Sequence, residues 1–95
     1  MNKATIITQL AEQTGIERAD VELIVENMLG LIQQTLLENE EVYLKGFGKF
    51  FNKKRAQKIA RNIADNTSIT IAAHYIPTLK MSTDFVKQIK ERLTV

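Results

Sequence analysis

The sequence predicts an α+β fold, and three observations carry the prediction. Before residue 40, two stretches repeat their apolar residues at helical spacing. Between residues 42 and 76, runs of β-prone residues are separated by a Gly-x-Gly bend and by a cluster of turn formers. The C-terminal residues return to an amphipathic helical pattern behind a serine.

The totals bound what such a chain does. Its 95 residues make one domain, near the lower end of what buries a self-sufficient core. An apolar share of 44% with 25% charged residues describes a folding chain rather than a disordered one. There is no cysteine, which removes disulfides and thiolate metal sites. No apolar run approaches the ~18 residues of a membrane span, and the N-terminus lacks a signal-peptide core, so a soluble cytoplasmic protein is the expectation.

Residues 3–14 read as the first helix, capped by Asn2, with Ile6, Ile7, Leu10 and Ala11 on one side and Gly15 as the stop. A longer helix is expected from about Arg18 to Glu38, entered without a Ser or Thr cap. Its apolar residues, including Leu23, Ile24, Met28, Leu29, Ile32, Leu36 and Leu37, are too many for one stripe. In so short a chain a second copy is the simplest cover, so a homodimer is expected. Glu22 and Glu26 mark the face left to solvent. Val42–Lys45 reads as a strand and Gly46-Phe47-Gly48 as a bend into the next. From Lys49 the chain looks extended, Asp65-Asn66-Thr67-Ser68 forms a turn, and residues 69–79 return as the partner strand. Pro77 fits only an edge or a strand end. A last helix over 83–93 follows the cap Ser82, with Asp84 near its start and Lys90 and Arg92 near its end, as the helix dipole favours.

Charge is unevenly divided. Residues 1–52 hold four cations against eight acids, while residues 53–95 hold nine cations against three acids. Lys49, Lys53, Lys54, Arg55, Lys58 and Arg61 follow one another with no acid before Asp65. Cations in such number are not buried, yet Phe47, Phe50 and Phe51 stand at the start of the run and call for cover. An arm is implied, rooted in a core and directed at a polyanion. About ten residues of strand project it ~33 Å.

The chain resembles the bacterial HU/IHF family of histone-like DNA-bending proteins. The residues that carry the resemblance are Met1-Asn2-Lys3, Gly46-Phe47-Gly48-x-Phe50, Arg55-Ala56, Arg61-Asn62, Ile69-x-Ile71-Ala72-Ala73 and Pro77, in this order along essentially the whole chain. The resemblance implies an intertwined dimer with a helical body, a small antiparallel sheet and two protruding β-ribbon arms that enter the minor groove and kink the duplex with an apolar wedge. Residues 1–40 form the helical dimerisation part, 41–81 the sheet and arm (the arm about 53–76) and 82–95 the C-terminal helix. Lys53, Lys54, Arg55, Lys58 and Arg61 are suited to phosphates, Asn62 to the groove floor, and Lys3 and Lys80 extend the track along the body. Phe47, Phe50, Leu29, Ile32, Leu36 and Leu44 are expected in the core and dimer contact.

Several positions depart from the family pattern. Ile63 stands where relatives usually have proline; it is apolar and serves as the wedge candidate, without proline's fixed φ. Asn66 is the residue suited to a left-handed turn, and Asp65 near the tip opposes phosphates. Leu79 takes a usual phenylalanine position, and Thr83 and Asp84 open the last helix where relatives are lysine-rich. The return strand, 69–79, has no Lys or Arg. Fewer phosphate contacts and a modest, salt-sensitive affinity follow.

Other readings have less to stand on. A helix-turn-helix in residues 3–38 would set Glu17, Asp20 and Glu22 against phosphates. His74 is the only histidine; no nucleophile motif, dinucleotide fingerprint or metal-ligand spacing accompanies it, so no enzyme, no cofactor, no metal and no small-molecule substrate are expected. The expected partners are double-stranded DNA and a second copy, or a paralogue in a heterodimer, with no membrane and a nucleoid-associated location. The alternatives are a site-preferring bending factor of the IHF kind, or a basic-arm dimer that binds RNA or protein.

Overall fold

A computed structural model describes residues 1–62, 64 and 67–95, with Asn62 described by its backbone alone. The expectations for Ile63, Asp65, Asn66 and the Asn62 side chain therefore lie outside the described residues. The fold is α+β: α1 (Lys3–Thr14), α2 (Arg18–Leu37), β1 (Val42–Leu44), β2 (Gly48–Arg55), β3 (Lys58–Asn62), β4 (Thr67–Ile71), β5 (His74–Met81) and α3 (Thr83–Arg92). The chain divides into two compact units, Met1–Thr35 and Leu36–Val95.

In the first unit the helix ends are fixed locally. The Asn2 side chain accepts the Thr5 N–H at 2.9 Å, and Gly15 closes α1 at φ 73° while its N–H donates to the Ala11 carbonyl. Only glycine adopts that φ without a steric cost. α2 begins without a side-chain cap; the Asp20 and Val21 N–H groups donate instead to the Glu17 carbonyl at 3.0 and 3.1 Å. It stops at Leu37, one residue before the expected end, because Asn39 turns left-handed at φ 58° and its N–H closes on the Leu36 carbonyl at 2.9 Å. Arg18 ties the two helices, donating to the Thr8 hydroxyl and to Glu22, each at 3.3 Å.

Little of this apolar surface is covered. Among the described residues, the buried hydrophobic side chains are Ile7 and Val21. Leu23 and Ile24 are each 63% exposed and Leu31 is 68% exposed. A helix apolar over most of its circumference has been left without its second side.

The second unit is organised by strand register. β1, β2 and β5 form a three-stranded antiparallel sheet in that order, with Leu44 opposite Gly48 and Gly48 opposite Met81. Gly46, at φ 81°, makes the bend between β1 and β2. Gly48 serves a different purpose: a Cβ there would stand 2.7 Å from the Lys80 carbonyl oxygen and 3.3 Å from the Met81 Cα, so β2 and β5 approach only because the side chain is missing. Pro77 lies opposite Asn52 in β5, an edge strand, where the lost N–H costs least. Ser82 caps α3, accepting the Phe85 N–H at 3.2 Å while its hydroxyl donates to the Gly46 carbonyl at 3.0 Å. The Phe47 and Phe85 rings lie 6.4 Å apart, so the Gly-Phe-Gly bend and α3 hold one another.

The outgoing and return strands are not continuous, as the sequence reading had them. Each is interrupted, at Ala56-Gln57 and at Ala72-Ala73, and β3 pairs with β4 as a separate two-stranded sheet. Register passes through the interruption unchanged: Arg55 faces His74, and Lys58 faces Ile71. Alanine has weak strand preference, and among the described residues no third strand supports the ribbon at that point. Thr67 and Ser68, expected in the turn, instead open β4 opposite Asn62 and Arg61. Their β-branched and hydroxyl side chains fit a ladder whenever the opposite strand reaches them.

Candidate nucleic-acid interface

β2 starts inside the three-stranded sheet and leaves it. Gly48 is buried, Lys49 to Asn52 are half-buried, and Lys53, Lys54 and Arg55 are exposed. Lys58 and Arg61 continue the exposed series in β3. Side chains alternate along a strand, so Lys53 and Arg55 share one face while Lys54 occupies the other; in β3, Lys58 and Arg61 likewise fall on opposite faces. The ribbon is thus cationic on both faces. Among the described residues none of these five cations has a carboxylate partner, whereas Lys3, Arg18 and Lys49 have Glu26, Glu22 and Glu41.

The root of the ribbon is anchored. The Asn52 carboxamide donates to the Leu36 carbonyl at 2.7 Å and to the Asn39 Oδ1 at 3.2 Å, pinning β2 to the end of α2 one residue before the first exposed lysine. Lys49 sits 5.1 Å from the Phe51 ring centre and 3.9 Å from Glu41, so its charge belongs to the root. His74 keeps its ring at the ribbon, Nδ1 lying 2.8 Å from the Ala72 carbonyl.

The remaining expected site residues are placed less uniformly. Lys80 is exposed in β5 opposite Lys49, within the root sheet rather than along the ribbon. Lys3 belongs to the helical unit, where its Nζ is 2.6 Å from Glu26 Oε1; the Glu26 hydrogen bond and charge raise its pKa above the usual lysine value. Asn62 pairs with Thr67 in backbone register. Of the residues expected in the core, Leu29 is 39% exposed, Leu44 37% and Phe47 43%, while Ile32, Leu36 and Phe50 are half-buried. One chain brings none of them fully out of water. Sequence reasoning did not find Asn52, the close approach at Gly48 or the interruption of the ribbon. An asparagine in a strand, where that residue is disfavoured, was the available signal for the first.

A ribbon bearing unpartnered cations on both faces and rooted in a small sheet, in a chain whose second helix is under-covered, defines a nucleic-acid-binding protein of the β-arm class. The family model described as bacterial DNA-binding protein matches residues 1–90. The chain belongs to this family, that of the histone-like HU proteins and integration host factor, whose members bind double-stranded DNA as dimers. It is 32% identical over 91 residues to DNA-binding protein HU of Clostridium pasteurianum, covering 96% of this chain and 100% of the relative. It is 29% identical to integration host factor subunit beta of Pseudoalteromonas atlantica, covering 98% of each. Among solved structures, an Anabaena HU–DNA cocrystal superposes with a TM-score of 0.85 at 24% identity, covering 94% of this chain and 97% of that one. A point mutant of HU from Thermotoga maritima superposes with a TM-score of 0.72 at 26% identity, covering 95% of this chain and 100% of the other. The fold and the arm are those of HU. Among the described residues, no helix is long and apolar enough to cross a membrane.

Proposed function

We propose that the protein is an architectural, non-enzymatic DNA-binding protein of the bacterial nucleoid, which acts in the cytoplasm as a homodimer and grips duplex DNA through the minor groove with two β-arms. The observation that carries this reading is the ribbon's unpartnered cations, present on both of its faces. A ribbon that lies on a surface needs charge on one face only. One that enters a groove meets phosphates on both sides, and the minor groove is the narrow one, about 6 Å wide. The ~33 Å reach of the arm is close to the ~34 Å of a helical turn of B-form DNA.

In this reading Lys53, Lys54, Arg55, Lys58 and Arg61 neutralise phosphates, Asn62 meets the groove floor and Ile63 is the wedge that kinks the duplex. Lys80 and Lys3 contribute from the body, Lys3 after giving up Glu26. Leu29, Ile32, Leu36, Leu44, Phe47 and Phe50 close the dimer, which supplies the cover one chain lacks. The chain acts as one domain, with residues 1–40 for dimerisation, 41–81 for sheet and arm, and 82–95 as the closing helix. Phosphate contacts carry no sequence information, so binding shows little sequence preference. A second reading, a site-preferring bending factor, draws support from the match to integration host factor subunits; it would read sequence through DNA deformability.

The test is a titration of linear, nicked and site-containing duplexes at two salt concentrations. Lys58→Ala with Arg61→Ala lowers affinity for every duplex and flattens the dependence of log K on log salt by about 0.9 per lost contact. Ile63→Ala keeps much of the affinity and reduces the bend measured by end-to-end energy transfer. An unchanged salt slope in the first variant removes the arm from the interface, and equal binding of single-stranded RNA moves the protein to another class.

A further inference from the structure

The return strand of the arm is unlike the outgoing one, and its chemistry is not used by the reading above. We propose that the outer edge of β4 docks the β4 strand of a second copy of the chain, joining one dimer to the next through a four-stranded sheet.

The β3–β4 sheet has only two strands, so the outer backbone edge of β4 is unpaired among the described residues. Two strands alone are marginal in water, while four make a sheet of ordinary size. The ribbon leaves apolar side chains uncovered, with Ile59 69%, Ile69 56% and Ile71 41% exposed. Free edges are normally protected by charge, proline or a bulge. β3 has such protection in Lys58 and Arg61. β4 has none: no Asp, Glu, Lys or Arg occurs from Thr67 to Leu79, register runs through the interruption without an inserted residue, and Pro77 lies beyond the strand.

The segment complements itself, which identifies the occupant. Two β4 strands, antiparallel about a two-fold axis through Ile69, set Ile69 against its own counterpart, Ser68 against Thr70 and Thr67 against Ile71. Every opposed pair is uncharged, and β-branched residues dominate, as cross-strand packing favours. The reverse assembly, β3 against β3, would gather two lysines and two arginines on adjoining strands with no acid between them. In the proposed sheet the two β3 strands stand three strand spacings apart, about 14 Å, which exceeds the ~8 Å Debye length at physiological salt. Of the two edges of the ribbon, a second copy therefore has one it can use.

Each dimer has two arms, so the pairing extends as a chain and does not close at a fixed size. Sedimentation of the full-length protein without DNA tests it. The low-concentration limit reports the dimer itself, and a rise in mass beyond two chains at higher concentration reports the edge. Ser68→Lys with Thr70→Lys sets lysines against lysines across the two-fold, and weakens the higher assembly by about tenfold or more with the far-UV circular dichroism of the dimer unchanged. Because the chain has no cysteine, Ile69→Cys provides a clean cross-link: oxidation joins one dimer to another, while Ile59→Cys on β3 does not. The proposal fails if the protein stays at two chains at every concentration, if the double lysine variant associates like the wild type, or if Ile69→Cys links only the two chains within a dimer or no better than Ile59→Cys.

Discussion

The second helix and the basic ribbon are both incomplete in a single chain, and for opposite reasons. On α2 the uncovered residues include Leu23, Ile24, Met28, Leu31 and Leu37, all at least half exposed. On the ribbon they are Lys53, Lys54, Arg55, Lys58 and Arg61, exposed and without acids among the described residues. Apolar surface is completed by more apolar surface, at roughly 25 cal/mol per Å² removed from water. Cationic surface is completed by a polyanion, with a free energy that falls as salt rises. One chain thus displays two kinds of missing partner, and each kind is told from the other by its physical signature rather than by its area.

Substitutions sharpen that contrast, and the largest effect belongs to the helix. Leu29→Glu sets a carboxylate in the surface assigned to the dimer, and costs about 3 kcal/mol or more per chain. Sedimentation then shows single chains and circular dichroism shows lost helix, an outcome that added salt does not reverse. A retained dimer would mean that the uncovered face of α2 is not the contact.

An intermediate effect is expected at the root of the ribbon. Gly48→Ala brings a methyl group to within 2.7 Å of the Lys80 carbonyl oxygen, and backbone cannot step aside as a side-chain tip does. The β2–β5 pairing loosens at a cost of about 1–3 kcal/mol, which thermal unfolding reads as a lower midpoint. The exposed cations of the ribbon are untouched, so the salt slope of DNA binding is expected to stay at its wild-type value. A changed slope would show that the arm's charges depend on the root.

The smallest effect is at Lys3, a cation already partnered by Glu26. Its pKa in the folded chain is raised, so the pair's contribution is fully present below the ordinary lysine value and is lost only as pH rises through the folded value. Lys3→Met therefore costs a small, constant amount of stability from pH 5 to 8, and the difference from wild type disappears only in strong alkali. On DNA it loses less affinity than Arg61→Ala, because the Lys3 charge must first leave Glu26. A large difference at neutral pH, or one that persists in strong alkali, would mean that Lys3 does more than make this exposed ion pair.

Much of this molecule was legible before any coordinates, and the legible part is the local part. Asn2 with Thr5 and Ser82 with Phe85 are caps that span three residues, so the sequence states both partners at once. Gly15 and Gly46 are turn residues in the same sense, and both have the left-handed φ such positions favour. The excess of apolar residues on α2 and the run of cations without acids are counts that need no structure. The site was legible as a charge pattern for the same reason.

What the tertiary structure alone decided depends on residues far apart in the chain. The need for glycine at 48 comes from Lys80 and Met81, and Asn52 became an anchor because Leu36 and Asn39 happen to lie within its reach. Thr67 and Ser68 moved from turn to strand because Asn62 and Arg61 arrive opposite them. Whether a lysine is free or paired was settled in the same way: Lys3 and Lys49 meet glutamates, while Lys58 meets none among the described residues. A sequence displays propensity and charge, which belong to residues and their near neighbours. Register, close approach and ion pairing belong to pairs of distant segments, and only folding selects which segments meet.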